Sequence, residues 1–154
     1  MSEQKPKKPC TSYFDLNTLN NLTKGFVTKE LEKLQKEIYK VTKRNATLIV
    51  KEATDSELSS FEFKPKYDET YLLAISYINK VTKRKVNNVF CLINYSETYP
   101  VIVKFLKDES EAVECKYDKE FHEYLKKICN SDSVLCSLRL SLRKKKDYLS
   151  EKFK

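Results

Sequence analysis

Residues 86–116, VNNVFCLINYSETYPVIVKFLKDESEAVECK, decide the fold class. Val86–Tyr95 is a β-branched and aromatic run that reads as a strand. A short polar turn, Ser96-Glu97-Thr98, leads into a second strand, Pro100–Leu106. Proline suits a strand start because it cannot donate to a ladder. Asp108-Glu109-Ser110-Glu111 turns the chain again, and Ala112–Lys116 reads as a third strand. Connections this short join antiparallel neighbours, because parallel strands need a long crossover.

Helices flank these strands. Downstream, Asp118 is placed to cap a helix ending near Cys129, with Phe121, Tyr124, Leu125 and Ile128 on one side. Upstream, Thr28 is placed to cap a helix to about Arg44, with Leu31, Leu34, Ile38 and Val41 on one face. Ala46–Val50 follows as a strand, Thr54–Ser60 as a polar loop and Phe61–Phe63 as a short strand. Tyr71, Leu72, Ile75, Ile78 and Val81 form a broad apolar stripe, which predicts a second helix from Asp68 to about Lys83. Residues 134–143 fit two patterns: alternation at Cys136, Leu138, Leu140 and Leu142 suggests a strand, and Leu135, Leu138, Leu142 and Leu149 a helix. The expected class is α+β, an antiparallel sheet of three or more strands with helices on one face. Its core is α-β-β-β-α, with an insertion at about 53–98. Residues 1–25 read as a basic, disordered lead, 26–147 as one domain and 148–154 as a basic tail.

Composition narrows the function. Of 154 residues, 30 are Lys or Arg and 22 are Asp or Glu, a formal charge of +8. The excess sits at the ends, which suits either phosphate neutralisation or plain solubility. Gly25 is the only glycine, which argues against nucleotide cradles that need several positive-φ residues. One histidine, His122, argues against a multi-histidine zinc site, and it reads as a solvated helix residue. Five cysteines without a Cys-x-x-Cys spacing fit reduced thiols in a cytosolic or nuclear protein better than a disulfide framework, and a cytoplasmic location is expected. No run approaches a membrane span and the first residues lack a secretory signal, so no membrane partner is expected. Lys40-Val-Thr-Lys-Arg44 is repeated as Lys80-Val-Thr-Lys-Arg84, each expected after a helix and before a strand.

Two resemblances bear on activity. Glu114-Cys115-Lys116, within a helix–three strands–helix order over 68–143, resembles the core of the PD-(D/E)xK nucleases, which hold Mg²⁺ between two acids. Here Pro100-Val101 stands where that family places Pro-Asp. A wider likeness covers about 26–147. Phe26–Leu34, Ala46–Lys51, Tyr99-Pro-Val-Ile-Val-Lys104, Asp118–Tyr124 and the basic run 143–146 together resemble the signal recognition particle 14 kDa protein family. The turn at 107–111 is acidic, where that family has glycine and basic residues.

That second resemblance implies a non-enzymatic RNA-binding subunit of a ribonucleoprotein in co-translational protein targeting, with no cofactor. Its implied partners are a structured RNA and a small basic protein forming a heterodimer. The residues matching family basic positions are Lys51 and Lys104 on the sheet, with Arg143, Lys144, Lys145 and Lys146 in the tail. The first resemblance implies, as the second reading, a nuclease or a degenerate nuclease fold, and a non-catalytic protein-interaction adaptor is the third.

Overall fold

A computed structural model describes residues 16–108 and 110–143. Five strands form one antiparallel sheet in sequence order: β1 (Ala46–Glu52), β2 (Glu69–Ile78), β3 (Lys85–Ser96), β4 (Thr98–Phe105) and β5 (Val113–Cys115). Helices α1 (Leu16–Val41), α3 (Asp118–Cys129) and α4 (Asp132–Leu142) pack on the sheet, and a short α2 (Asp55–Ser60) follows β1. The α+β antiparallel class stands as the sequence predicts.

Alternation along the strands defines two faces. Leu48, Leu73, Ile75, Cys91, Ile93, Val101, Val103 and Cys115 point to the inner face. They meet Val27, Leu31 and Ile38 of α1, Phe121, Leu125 and Ile128 of α3, and Val134 of α4. A bulge in β3 opposite Leu73 and Ala74 leaves Phe90 between the paired Val89 and Cys91, and Phe90 is fully buried in this core.

The expected helix at 68–83 is a strand. Thr70–Ile78 carries apolar residues at helical spacing, but it is a central strand covered on both sides. Leu73, Ile75 and Tyr77 are buried in the core, and Leu72, Ala74 and Ser76 are buried on the opposite face. A strand covered on both faces loses its alternation, so a stripe of period 3.6 can be drawn through it. Asp68 caps nothing there and accepts a bond from the Ser96 hydroxyl instead. The stretch 53–98 therefore contributes β2 and β3, which separate β1 from β4.

Three smaller differences follow from local hydrogen bonding. The expected loop at 54–60 is α2, whose Thr54 and Glu57 satisfy each other's backbone N–H groups in a capping box. Phe61–Phe63 forms no strand. The segment 134–142 is helical, part of α4, which is started by the Ser131 hydroxyl accepting from Val134 N–H, and Arg143 is its extended C-cap. At α3 the cap position is Tyr117 rather than Asp118, which sits in the first turn.

Helix α1 begins at Leu16, inside the stretch read as a disordered lead, and kinks at Gly25. Gly25 has φ 78 and ψ 163, a region occupied almost only by glycine. A β-carbon placed there would lie 2.7 Å from the Glu97 carbonyl oxygen in the β3–β4 turn. The one glycine of the chain is thus where the start of the helical segment crosses a hairpin.

Candidate nucleic-acid interface

Register places the two predicted sheet lysines together. Lys51 pairs with Leu72, Leu72 with Leu92, and Leu92 with Lys104. All four belong to one cross-strand row on the face opposite the core helices. Three strand spacings, roughly 14 Å in all, separate the two lysines. Lys104 is half-buried and makes no ion pair among the described residues. Lys51 is different, because its ammonium lies 2.9 Å from a carboxylate oxygen of Glu57 on α2.

That contact belongs to a larger cover. The connection 53–68 crosses the outer face from β1 towards β5, held at three places. Glu57 meets Lys51 at the β1 edge. In the centre the buried Asn94 accepts from Lys66 N–H (3.2 Å) and Tyr67 N–H (2.9 Å). Its amide nitrogen donates to Tyr67 O, Glu69 O and Thr70 Oγ1 at 3.1, 2.9 and 2.8 Å. At the far edge the Tyr67 hydroxyl donates to Glu114 at 2.5 Å, with the Lys66 ammonium 3.6 Å from the same oxygen. Leu72 and Leu92, at 1% and 0% exposure, are closed off from solvent. The solvent side of this face therefore consists of the connection and its margins rather than a bare sheet.

The anchoring carboxylates are tuned accordingly. The Tyr67 hydroxyl, then the Lys66 charge, hold Glu114 below the usual carboxylate range. The Thr54 N–H, then Lys51, do the same for Glu57. A depressed carboxylate pKa adds stability above the unfolded value of about 4.3, and that contribution is lost as pH falls through the folded value. Hydrogen-exchange protection of 61–68, relative to β3, is therefore expected to drop on acidification below about pH 4. Glu114→Gln should remove much of that pH dependence, and an unchanged profile in this variant would contradict the anchor.

Glu114 is engaged by the Tyr67 hydroxyl and the Lys66 ammonium of the connection. The β4 residue opposite it is Ile102, and Val101 faces the core. No cluster of three or more His, Cys, Asp or Glu side chains able to hold a metal occurs among the described residues. The helix that the nuclease register requires at 68–83 is β2.

Arg143 follows α4 as its C-cap and is half-buried. Lys144, Lys145, Lys146 and the tail 148–154 lie outside the described residues, as do residues 1–15 of the lead. Among the described cysteines, burial keeps Cys91 well above the ordinary thiol range and pushes Cys115 and Cys129 up to about 11. These thiols stay protonated at neutral pH, as core residues do.

His122 lies on α3 with its side chain 59% exposed, the expected solvated helix position, and it has a partner that the sequence did not show. Its Nδ1 lies 2.7 Å from Glu30 of α1, 92 positions away, so it ties α3 to α1. The pair borders a groove of about 320 Å³ that Lys33, Glu37, Lys126 and Cys129 continue. Sequence spacing carried no signal for this contact.

Comparison with protein-family models, with curated proteins and with solved structures finds no match to the chain.

Proposed function

We propose that the chain is an RNA-binding subunit of a ribonucleoprotein. The observation that carries this reading is the placement of Lys51 and Lys104 in one row on the face without the core helices. The chain's charge of +8 supports it. Lysine ammonium groups suit RNA helices, which are recognised mainly through phosphates, 2′-OH groups and shape. The likeness to the signal recognition particle 14 kDa protein extends the reading to co-translational targeting in the cytoplasm beside a small basic protein. That extension rests on the quoted motifs. Among the described residues no helix is long and apolar enough to cross a membrane.

Native purification at low salt, followed by sequencing of any bound nucleic acid, tests the reading. The expected result is one abundant structured RNA, released by ribonuclease, with a small basic protein in the same complex. A chain that emerges free of RNA and holds a protein partner independently of salt favours the adaptor instead.

A further inference from the structure

The repeated motif gains meaning from the register of β1 and β2. Lys40-Val-Thr-Lys-Arg44 ends α1 and turns into β1. Lys80-Val-Thr-Lys-Arg84 joins β2 to β3, so it follows a strand and not the expected helix. Ala46 pairs with Tyr77. The two turns therefore leave neighbouring strands at the same end of the sheet. The two turns share one backbone feature, positive φ at the fourth residue of each motif, 51 at Lys43 and 64 at Lys83, and differ at the fifth, where Arg44 has φ 69 and Arg84 does not have positive φ. Asn79 closes the second turn by accepting from Val81 N–H and Thr82 N–H at 2.9 and 3.0 Å. Thr42 closes the first, with its hydroxyl accepting from Ala46 N–H at 3.0 Å.

The two turns and the strand ends they join carry charge of one sign. No acid occurs between Glu37 and Glu52, and none between Glu69 and Glu97. Lys43, Arg44, Lys83, Arg84 and Lys85 are exposed and Lys80 is half-buried. No ion pair to any of them occurs among the described residues. Uncompensated cations held on two rigid turns repel one another in the free protein, and a polyanion relieves that repulsion. On the outer face, by contrast, Lys51 and Lys66 are already paired with Glu57 and Glu114. Helix α4 also leans on this half of the sheet, with Asn88 Nδ2 donating to Ser137 Oγ at 2.6 Å, three residues along β3 from Lys85. The stretch that continues from Ser137 through Arg143 to Lys146 contains no acid.

We propose that these paired Lys-Val-Thr-Lys-Arg turns form the principal phosphate-binding site, and that it takes the backbone of double-helical RNA. The site rests on the RNA-binding reading and moves its main contact from the sheet face to the end of the sheet. Neither motif contains an aromatic residue on which an unpaired base could stack, and single-strand sites depend on such stacking. Cations projecting from two adjacent turns suit sequence-independent contact with duplex phosphates.

The test uses the full chain and a mixed-sequence RNA duplex of about 20 base pairs, with affinity read across roughly 0.05–0.2 M salt. Two variants remove charge without disturbing the turns, because asparagine tolerates positive φ: Lys43→Asn with Arg44→Asn, and Lys83→Asn with Arg84→Gln. Thermal melting confirms that each is folded. Each double variant is expected to reduce the log–log salt slope by about 2 and their combination by about 3–4, roughly one per lost phosphate contact. Wild-type binding that both variants retain, while Lys104→Gln loses it, overturns the turn site and leaves the RNA reading intact. Tighter binding to the single strand, or to vesicles of anionic phospholipid, overturns the duplex assignment. No binding of wild type to either RNA overturns the RNA reading and the turn site together.

Discussion

Replacing Asn94 with alanine is expected to lower stability by about 2–4 kcal/mol, a loss of roughly 5–15 °C in melting temperature for a domain of this size. Asn94 is fully buried on the outer face. Its oxygen serves two backbone N–H groups and its nitrogen three oxygen acceptors. Alanine leaves the Lys66 and Tyr67 N–H groups without that acceptor beneath the connection, and an unsatisfied buried donor costs about 1–3 kcal/mol. Asn94→Asp keeps an acceptor but turns a carboxylate towards the Tyr67 and Glu69 carbonyls, so it should be at least as damaging near neutral pH. Chemical denaturation of both variants checks this, and a change within about 0.5 kcal/mol for alanine, the range of ordinary surface substitutions, would show that the connection is not held through Asn94.

Gly25→Ala is the second large effect, expected at about 2–3 kcal/mol. Two separate costs meet there. The backbone at φ 78, ψ 163 is hostile to any residue with a β-carbon, and the new carbon would collide with the Glu97 carbonyl at 2.7 Å. The neighbour is backbone, so relief requires the kink of α1 or the β3–β4 turn to move. Such a shift should loosen Val27 and Leu31, both core residues just past the kink. Faster hydrogen exchange in 26–31 and 96–98, with β2 unaffected, is the expected pattern. A variant as stable as wild type would mean that α1 enters the core at another angle.

Legibility of the fold from sequence followed burial. Strands β3, β4 and β5 were readable because polar turns separate them. Helix α3 was readable because one face carries Phe121, Leu125 and Ile128 while the other stays charged. Strand β2 was not, since cover on both sides erased its alternation. The capping box of α2 is present in the sequence as Thr54-x-x-Glu57, within a stretch whose polarity otherwise suggests a loop. The ion pair that occupies Lys51 depends on α2 and has no sequence signal of its own. The side of the sheet carrying Lys51 and Lys104 could be read from alternation, whereas the cover over it depended on Asn94 meeting residues 27 positions away. The paired basic turns were visible as a repeated word. Their adjacency required β1 and β2 to be neighbours, which a helix at 68–83 does not allow.

The central claim is that this chain binds RNA by its phosphates. The most direct measurement is the affinity of the full chain for a structured RNA duplex as a function of salt. Measurable binding is expected at about 0.05 M salt, falling linearly on a log–log plot by roughly 0.7–0.9 per phosphate contact. Absence of binding at low salt, or an affinity that salt does not change, would contradict it.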